Sequence, residues 1–187
     1  TDWLHFHDSD DELMPNFVRL ARNWIAQDQF DVVLFDYEWR DEATSELLGT
    51  RRFDPKGVSQ DPRSYAIREQ INPFCGLYRR SAYLAAGGYD EDPCVLYNED
   101  VAFHIRLAFA GLRFAVESEM SIINYRRENS MSSGNRSKCA QAHYRVMRKT
   151  LDLTGARAYQ GEIGAKLWAV AGLLASFSDW QHANEAV

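Results

Sequence analysis

The sequence contains little cysteine, no excess of positive charge and no apolar run long enough to cross a bilayer, and each shortage closes off a class of protein. Three cysteines in 187 residues (Cys75, Cys94 and Cys139) are odd in number and widely separated. Their spacing fits no zinc site and suggests free thiols in a reducing compartment. Lys and Arg total 21 against 27 Asp and Glu, which leaves a net charge of -6 and no basic stripe. Nucleic acid is therefore not an expected partner. Neither an internal repeat nor a low-complexity linker divides the chain, so 1–187 reads as one domain. What is present is 45% apolar and 26% charged, an ordinary globular composition with length enough for a hydrophobic core. An acidic protein that handles phosphates must do so with local devices: a metal ion, an arginine or a helix N-terminus.

Along the chain, Trp3 to His7 alternates and is rich in aromatics, which predicts a short strand running into the acidic segment Asp8-Ser9-Asp10-Asp11-Glu12. Pro15 suits a first helical turn, and Phe17, Leu20, Ala21, Trp24 and Ile25 recur at helical spacing with one apolar face. Asp31 to Tyr37 is a continuous apolar run with polar ends, the pattern of a buried, parallel strand. Strand, helix and strand in this order predict a βαβ unit. Residues 40–70 are polar and punctuated by Gly and Pro, and read as a long excursion with little regular structure. A strand over 74–78 and a short helix over 81–86 follow, the helix closed by Gly87 in a left-handed cap. A further helix runs from Asn98 to Gly111 with Val101, Ile105, Ala108 and Phe109 as its core stripe. Two short strands, 113–116 and 121–125, precede a basic, Ser- and Asn-rich stretch over 126–137 that is expected to be mobile. Two helices, over 138–153 and 161–180, close the chain, so 1–137 is the α/β part and 138–187 the helical part.

Two acidic clusters carry chemistry. In an extended segment, residues two apart point the same way, so Asp8 and Asp10 converge on one cation. The carboxyl end of a strand in an α/β sheet is where such folds bind ligands. One or two carboxylates, completed by substrate phosphates, suit Mg²⁺ or Mn²⁺. The same run also reads as a solvated turn and helix cap. In the second cluster Asn98 is the expected cap, with Glu99 and Asp100 in the first turn, where carboxylates favour the positive end of the helix. They serve either that purpose alone or a further one, with Asp100 as a general base toward an acceptor hydroxyl. Arg106, on a similar face, is expected to orient the pair.

Four segments, in order, resemble the family 2 glycosyltransferases: HFHDSDDELMP, GLYRRSAYLAAGGYDED, NEDVAFHIRLAFAGLRF and INYRRENSMS. Each motif is weak alone, and their order and spacing make the signal. The resemblance implies a partial GT-A fold, an α/β architecture with a Rossmann-like mixed sheet flanked by helices and followed by C-terminal helices. It makes Asp8 and Asp10 the Asp-x-Asp pair, with Asp10 the direct ligand to Mn²⁺ or Mg²⁺ and Asp8 near the donor ribose or the metal's water shell. Asp100 falls on the catalytic base and Glu99 on its acceptor-binding neighbour. Gly76 falls where backbone approaches a sugar, and Arg126 and Arg127 where a loop closes over the donor diphosphate. Many relatives carry a His near this point, where this chain has Arg-Arg-Glu. Members of the family open with a further strand-and-helix segment that holds the nucleotide base, so the chain is expected to be the C-terminal catalytic part of a glycosyltransferase. The implied partners are a UDP- or GDP-sugar donor and a glycan or glycolipid acceptor, as in polysaccharide or glycolipid synthesis. The implied location is the cytoplasm or the inner face of the membrane.

One base and one metal suffice for a single displacement with inversion, unlike the two-carboxylate retaining scheme. A non-catalytic module that has kept the fold is the second class. A two-metal nuclease or phosphatase built on Asp8, Asp10, Asp36 and Glu38 is the third, and it leaves the Glu-Asp helix unexplained. His5, His7 and His104 read as packing residues, and Cys75 as a small buried hydrophobe. The broad apolar face of the last helix, from Ile163 to Phe177, suggests packing or homo-oligomer formation. It lacks the basic flank of a peripheral membrane anchor.

Overall fold

The computed structural model describes residues 1–127 and 133–187. Its strands are β1 (Trp3–His5), β2 (Glu12–Leu13), β3 (Val32–Asp41), β4 (Leu47–Arg51), β5 (Gly76–Arg79) and β6 (Phe114–Arg126). Its helices are α1 (Phe17–Gln27), α2 (Pro55–Gln60), α3 (Pro62–Arg68), α4 (Arg80–Ala85), α5 (Glu99–Phe109), α6 (Arg136–Leu151), α7 (Gln160–Ser176) and α8 (Trp180–Glu185). The strands form one mixed sheet in the order β1-β5-β3-β6-β2, with β4 beside the outer half of β3. β3 runs parallel to β6 and antiparallel to β5 and β4. β1 is also antiparallel to β5, so β1 and β3 point the same way with β5 between them. The predicted βαβ unit is thus present with one strand inserted.

Both sheet faces are covered, which explains the uninterrupted apolar run in β3: Val33, Leu34 and Phe35 are fully buried. His5, Leu77 and Val33 lie opposite one another in register, on the face where α1 packs Phe17 against Phe35 at 4.9 Å between ring centres. Leu4, Tyr78 and Val32 share the other face, where Tyr78 meets Phe103 of α5 at 5.2 Å. At the amino end of β3, Asp31 accepts from the Arg113 main chain at 3.0 Å and from the guanidinium groups of Arg113 and Arg79. One carboxylate therefore ties together the margins of three strands.

Several expectations change. Residues 40–70 are ordered: β4 forms a hairpin on β3, and α2 and α3 follow. Asp54-Pro55 and Asp61-Pro62 start those helices, each Asp accepting from a main-chain N–H two or three residues on, each Pro in the first turn. Gly57 and Ser59 hid the helical pattern, but Val58, Tyr65, Ala66 and Ile67 are buried. The two strands expected over 113–125 are one long strand, whose pairing with β3 shifts register between Phe35 and Tyr37. Gly87 and Gly111 end α4 and α5 with φ of 83° and 80°, as a left-handed cap requires. Asn98 makes no side-chain cap; its amide donates instead to the Cys139 carbonyl at 2.7 Å, tying α5 to α6. The mobile stretch expected over 126–137 falls in part on residues 128–132, which lie outside the described residues; Arg126 belongs to β6 and Arg136 opens α6. The closing pair of helices is followed by a third, α8. Among the described residues, no helix is long and apolar enough to cross a membrane.

Candidate active site

The acidic segment joins β1, on one edge of the sheet, to β2 on the other. It is a reverse turn and not the extended chain expected, because the Asp11 N–H donates to the Asp8 carbonyl at 3.1 Å. Asp8 and Asp10 are therefore carried, exposed, on a turn. Asp11 holds that turn in place. Its carboxylate accepts from the Asn124 amide at 2.9 and 3.1 Å and from the Tyr125 N–H at 3.2 Å, both on β6. Phe6 anchors the other side, with ring centres 5.5 to 5.9 Å from Tyr83, Tyr78, Tyr89 and Phe103.

This aromatic cluster brings the first turn of α5 against the acidic segment. Partial shielding from water, then the charge of Asp10, push the Asp8 carboxyl above its ordinary value. Burial, then Glu99, then Asp8 raise the Asp100 carboxyl to about 7. The two acidic stretches thus feel one another's charge, and Asp8 stands between Asp10 and Asp100 electrostatically. Glu99 Oε2 is buried with no hydrogen-bond partner among the described residues. Tyr89 stacks on Phe103 at 4.5 Å and 14° between planes. Burial first, and then the charges of Asp100, Asp8 and Glu99, push its phenol upward.

The arginines divide. Arg127 forms an ion pair with Asp10 and lies 3.9 Å from Glu42, so the end of β6 does reach the acidic turn. Arg126 lies over the Trp39 ring at 5.1 Å. Arg106 does not reach the Glu99–Asp100 pair; it donates to the carbonyls of Ala86 and Gly87 at 3.3 and 3.2 Å and braces the Gly-Gly turn. Gly76 is buried, and a Cβ there would sit 1.9 Å from the Tyr78 hydroxyl, so that ring requires a residue without a side chain here. Asp36 is buried on β3 and accepts from the Phe53 N–H at 2.9 Å, a structural use of a carboxylate that a two-metal site would have needed as a ligand.

Among the described residues, no group of three or more His, Cys, Asp or Glu is arranged to hold a metal. Among the described residues, Asp8 and Asp10 are the carboxylates of the acidic turn that a divalent cation at this site would take. The pair suits such an ion, since both offer hard oxygen donors, and Asp8 is pushed up first by partial burial and then by the charge of Asp10. Two participants escape a reading of the sequence. Tyr89 is legible there only as the aromatic in a Gly-Gly-Tyr-Asp string. Asp11 is indistinguishable from its acidic neighbours until its partners on β6 are known.

No protein-family model and no curated protein sequence matches the chain. Solved structures do match in fold. Residues 1–349 of TarS from S. aureus, in complex with UDP-GlcNAc, align at 18% identity and a TM-score of 0.59, covering 92% of this chain and 48% of that one. The mannosyltransferase PcManGT from Pyrobaculum calidifontis, in complex with GDP-Man and Mn²⁺, aligns at 14% identity and a TM-score of 0.56, covering 99% of this chain and 49% of that one. The chain spans about half the length of these structures. The mixed sheet flanked by helices is therefore a glycosyltransferase-like fold.

Proposed function

We propose that this chain carries the catalytic centre of an inverting, metal-assisted glycosyltransferase of family 2, acting on a UDP- or GDP-sugar donor and a glycan or glycolipid hydroxyl. The observation that carries the reading is the convergence of Asp8 and Asp100. A carboxyl raised to about 7 is matched to proton abstraction near neutral pH. It sits within electrostatic reach of the acidic turn that would receive the donor. The solved structures of similar fold, one bound to UDP-GlcNAc and one to GDP-Man with Mn²⁺, support a nucleotide-sugar donor and a divalent ion.

Asp10 and Asp8 would hold Mn²⁺ or Mg²⁺ with the donor's phosphate oxygens, and the ion when bound neutralises charge on the departing diphosphate. Arg127, beside Asp10, offers a guanidinium to the same diphosphate. Glu99, whose buried Oε2 lacks a hydrogen-bond partner among the described residues, would accept from a hydroxyl of the acceptor, with Tyr89 beside it. Asp100 removes the proton of the attacking hydroxyl. That oxygen bonds to the anomeric carbon as the bond from carbon to diphosphate oxygen breaks, and the nucleoside diphosphate leaves with both electrons of that bond. The anomeric configuration inverts in the single step.

The test is calorimetric titration of UDP-GlcNAc and of GDP-mannose with and without Mn²⁺, paired with measurement of nucleoside diphosphate release. Mn²⁺-dependent binding and release, both weakened by Asp10→Ala, are expected. Metal-dependent binding with no release under any acceptor would instead favour a module that has kept the fold without the chemistry.

A further inference from the structure

The sheet face beneath α5 contains a polar pair in an otherwise apolar setting. Tyr78 on β5 and His104 on α5 are both buried, at 1% exposure each. The Tyr78 hydroxyl lies 2.9 Å from His104 Nε2 and 3.1 Å from the Pro73 carbonyl. His104 Nδ1 lies 3.0 Å from the main-chain carbonyl of Asp100. A carbonyl only accepts, so Nδ1 donates to it, beside the main-chain bond that an α-helix makes at this spacing. Burial lowers the His104 ring to about 4, so it is neutral and has one hydrogen to give. With that hydrogen on Nδ1, which the Asp100 carbonyl selects because it only accepts, Nε2 is left as an acceptor, and the Tyr78 O–H shares its one hydrogen between Nε2 and the Pro73 carbonyl. Gly76 belongs to the same arrangement, since any side chain there collides with the Tyr78 ring and hydroxyl.

We infer that Tyr78 and His104 are positioning residues for Asp100, fixing the carbonyl and hence the first turn of α5 so that the Asp100 carboxylate meets the acceptor hydroxyl. This rests on the reading of Asp100 as the base. Two features separate the pair from ordinary core packing. The hydrogen bond ends on the backbone of Asp100 itself. The Asp100 carbonyl also lies in the helical ladder of α5, so the imidazole N–H is a second donor directed at this one carbonyl. A base must sit within hydrogen-bond reach of its proton, and small displacements are costly to the chemical step while leaving donor contacts on the acidic turn untouched.

The experiment uses the full chain with Mn²⁺ and UDP-GlcNAc or GDP-mannose, whichever the wild type turns over, reading nucleoside diphosphate release and donor affinity separately. His104→Leu keeps bulk and removes both hydrogen bonds; it is expected to lower kcat by about 10- to 100-fold with donor affinity within about twofold. His104→Asn retains a donor near Nδ1 and is expected to recover most of the loss. Tyr78→Phe keeps the ring and is expected to give the same split on a smaller scale; it decides the matter if His104→Leu does not fold. A folded His104→Leu or Tyr78→Phe protein with wild-type kcat overturns the inference, as does an Asn variant no better than Leu. Asp100→Asn is run alongside. If it retains full activity, the base assignment has failed; if it is inactive while the other variants keep kcat, the positioning role alone has failed.

Discussion

Phe6 and Phe103 meet edge to face, with ring centres 5.9 Å apart and planes at 87°. Phe6 lies two residues before Asp8 and Phe103 one helical turn into α5, so this contact holds the two groups of carboxylates near one another. Apolar packing thus shields both carboxyls from water, which raises them first, and at Asp100 the charges of Glu99 and Asp8 add to the rise.

The first prediction concerns pH. A base must be ionised, and the Asp100 carboxyl is held up at about 7. For the wild-type protein kcat/KM should rise with pH through about 7 and level off above it. Asp100→Asn should reduce transfer by about 10²- to 10⁴-fold while sparing donor binding. Its stability should change in the opposite sense. A carboxyl raised on folding destabilises the protein above its unfolded pKa, with the full penalty present above about 7. Asp100→Asn should therefore have a higher Tm than wild type at pH 8 and little advantage at pH 4. A pH-rate profile flat from 5 to 9 removes Asp100 from the base role.

A second prediction isolates the anchor of the acidic turn. Asn124→Ala removes both amide hydrogen bonds to Asp11 without touching a proposed ligand. Mn²⁺-dependent affinity for the nucleotide sugar should fall severalfold while the pH profile keeps its midpoint. Unchanged affinity by calorimetry would show that the turn holds its shape unaided.

The Asp31 clamp yields a third. Burial alone would raise this carboxyl, but hydrogen bonds and charge from Arg113, with Arg79, outweigh it and hold the group below its ordinary value. Its stabilisation is present above the unfolded carboxyl pKa and is lost as pH falls through that value toward the folded one. Asp31→Ala should cost about 1 to 3 kcal/mol at pH 7 in urea unfolding, and less at pH 3. An equal loss at both values would assign the effect to packing.

Two glycines give the fourth. Gly76→Ala puts a methyl 1.9 Å from the Tyr78 hydroxyl and should destabilise by about 1 to 3 kcal/mol or prevent folding. Gly164→Ala, on the open side of α7 with no atom within 4 Å of the new carbon, should stabilise by about 0.5 to 1 kcal/mol. Thermal melts of the two variants read both signs.

Periodicity and end signals make α1, α5, α6 and α7 legible in the sequence, because each presents an apolar stripe to a core and three end near a Gly or a polar cap. The inner half of β3 is legible for the complementary reason: a strand buried on both faces cannot alternate. The segment over 40–70 misleads because α2 and α3 are short, and their start signals, Asp54-Pro55 and Asp61-Pro62, also serve as turn signals. Long-range partners are the least accessible. Arg106 shares a helix face with Glu99, yet its guanidinium is drawn to the carbonyls of Ala86 and Gly87. Nothing local in the sequence distinguishes those choices. The acidic residues themselves are visible, whereas the turn that presents them is not, since an i, i+2 pattern of carboxylates is compatible with extended and reversed backbone alike.

Six residues, Phe6 to Asp11, bridge strands at opposite margins of the sheet. Four inter-strand steps amount to about 19 Å on a flat sheet, while seven Cα steps at full stretch reach about 24 Å. A reversal of direction consumes most of that difference, so the tether has almost no slack. Curvature of the sheet and reach of the acidic tether are therefore a single variable. The span between the two edge strands is in effect counted out in residues, so gain or loss of one there should act on the sheet's curvature as well as on the turn.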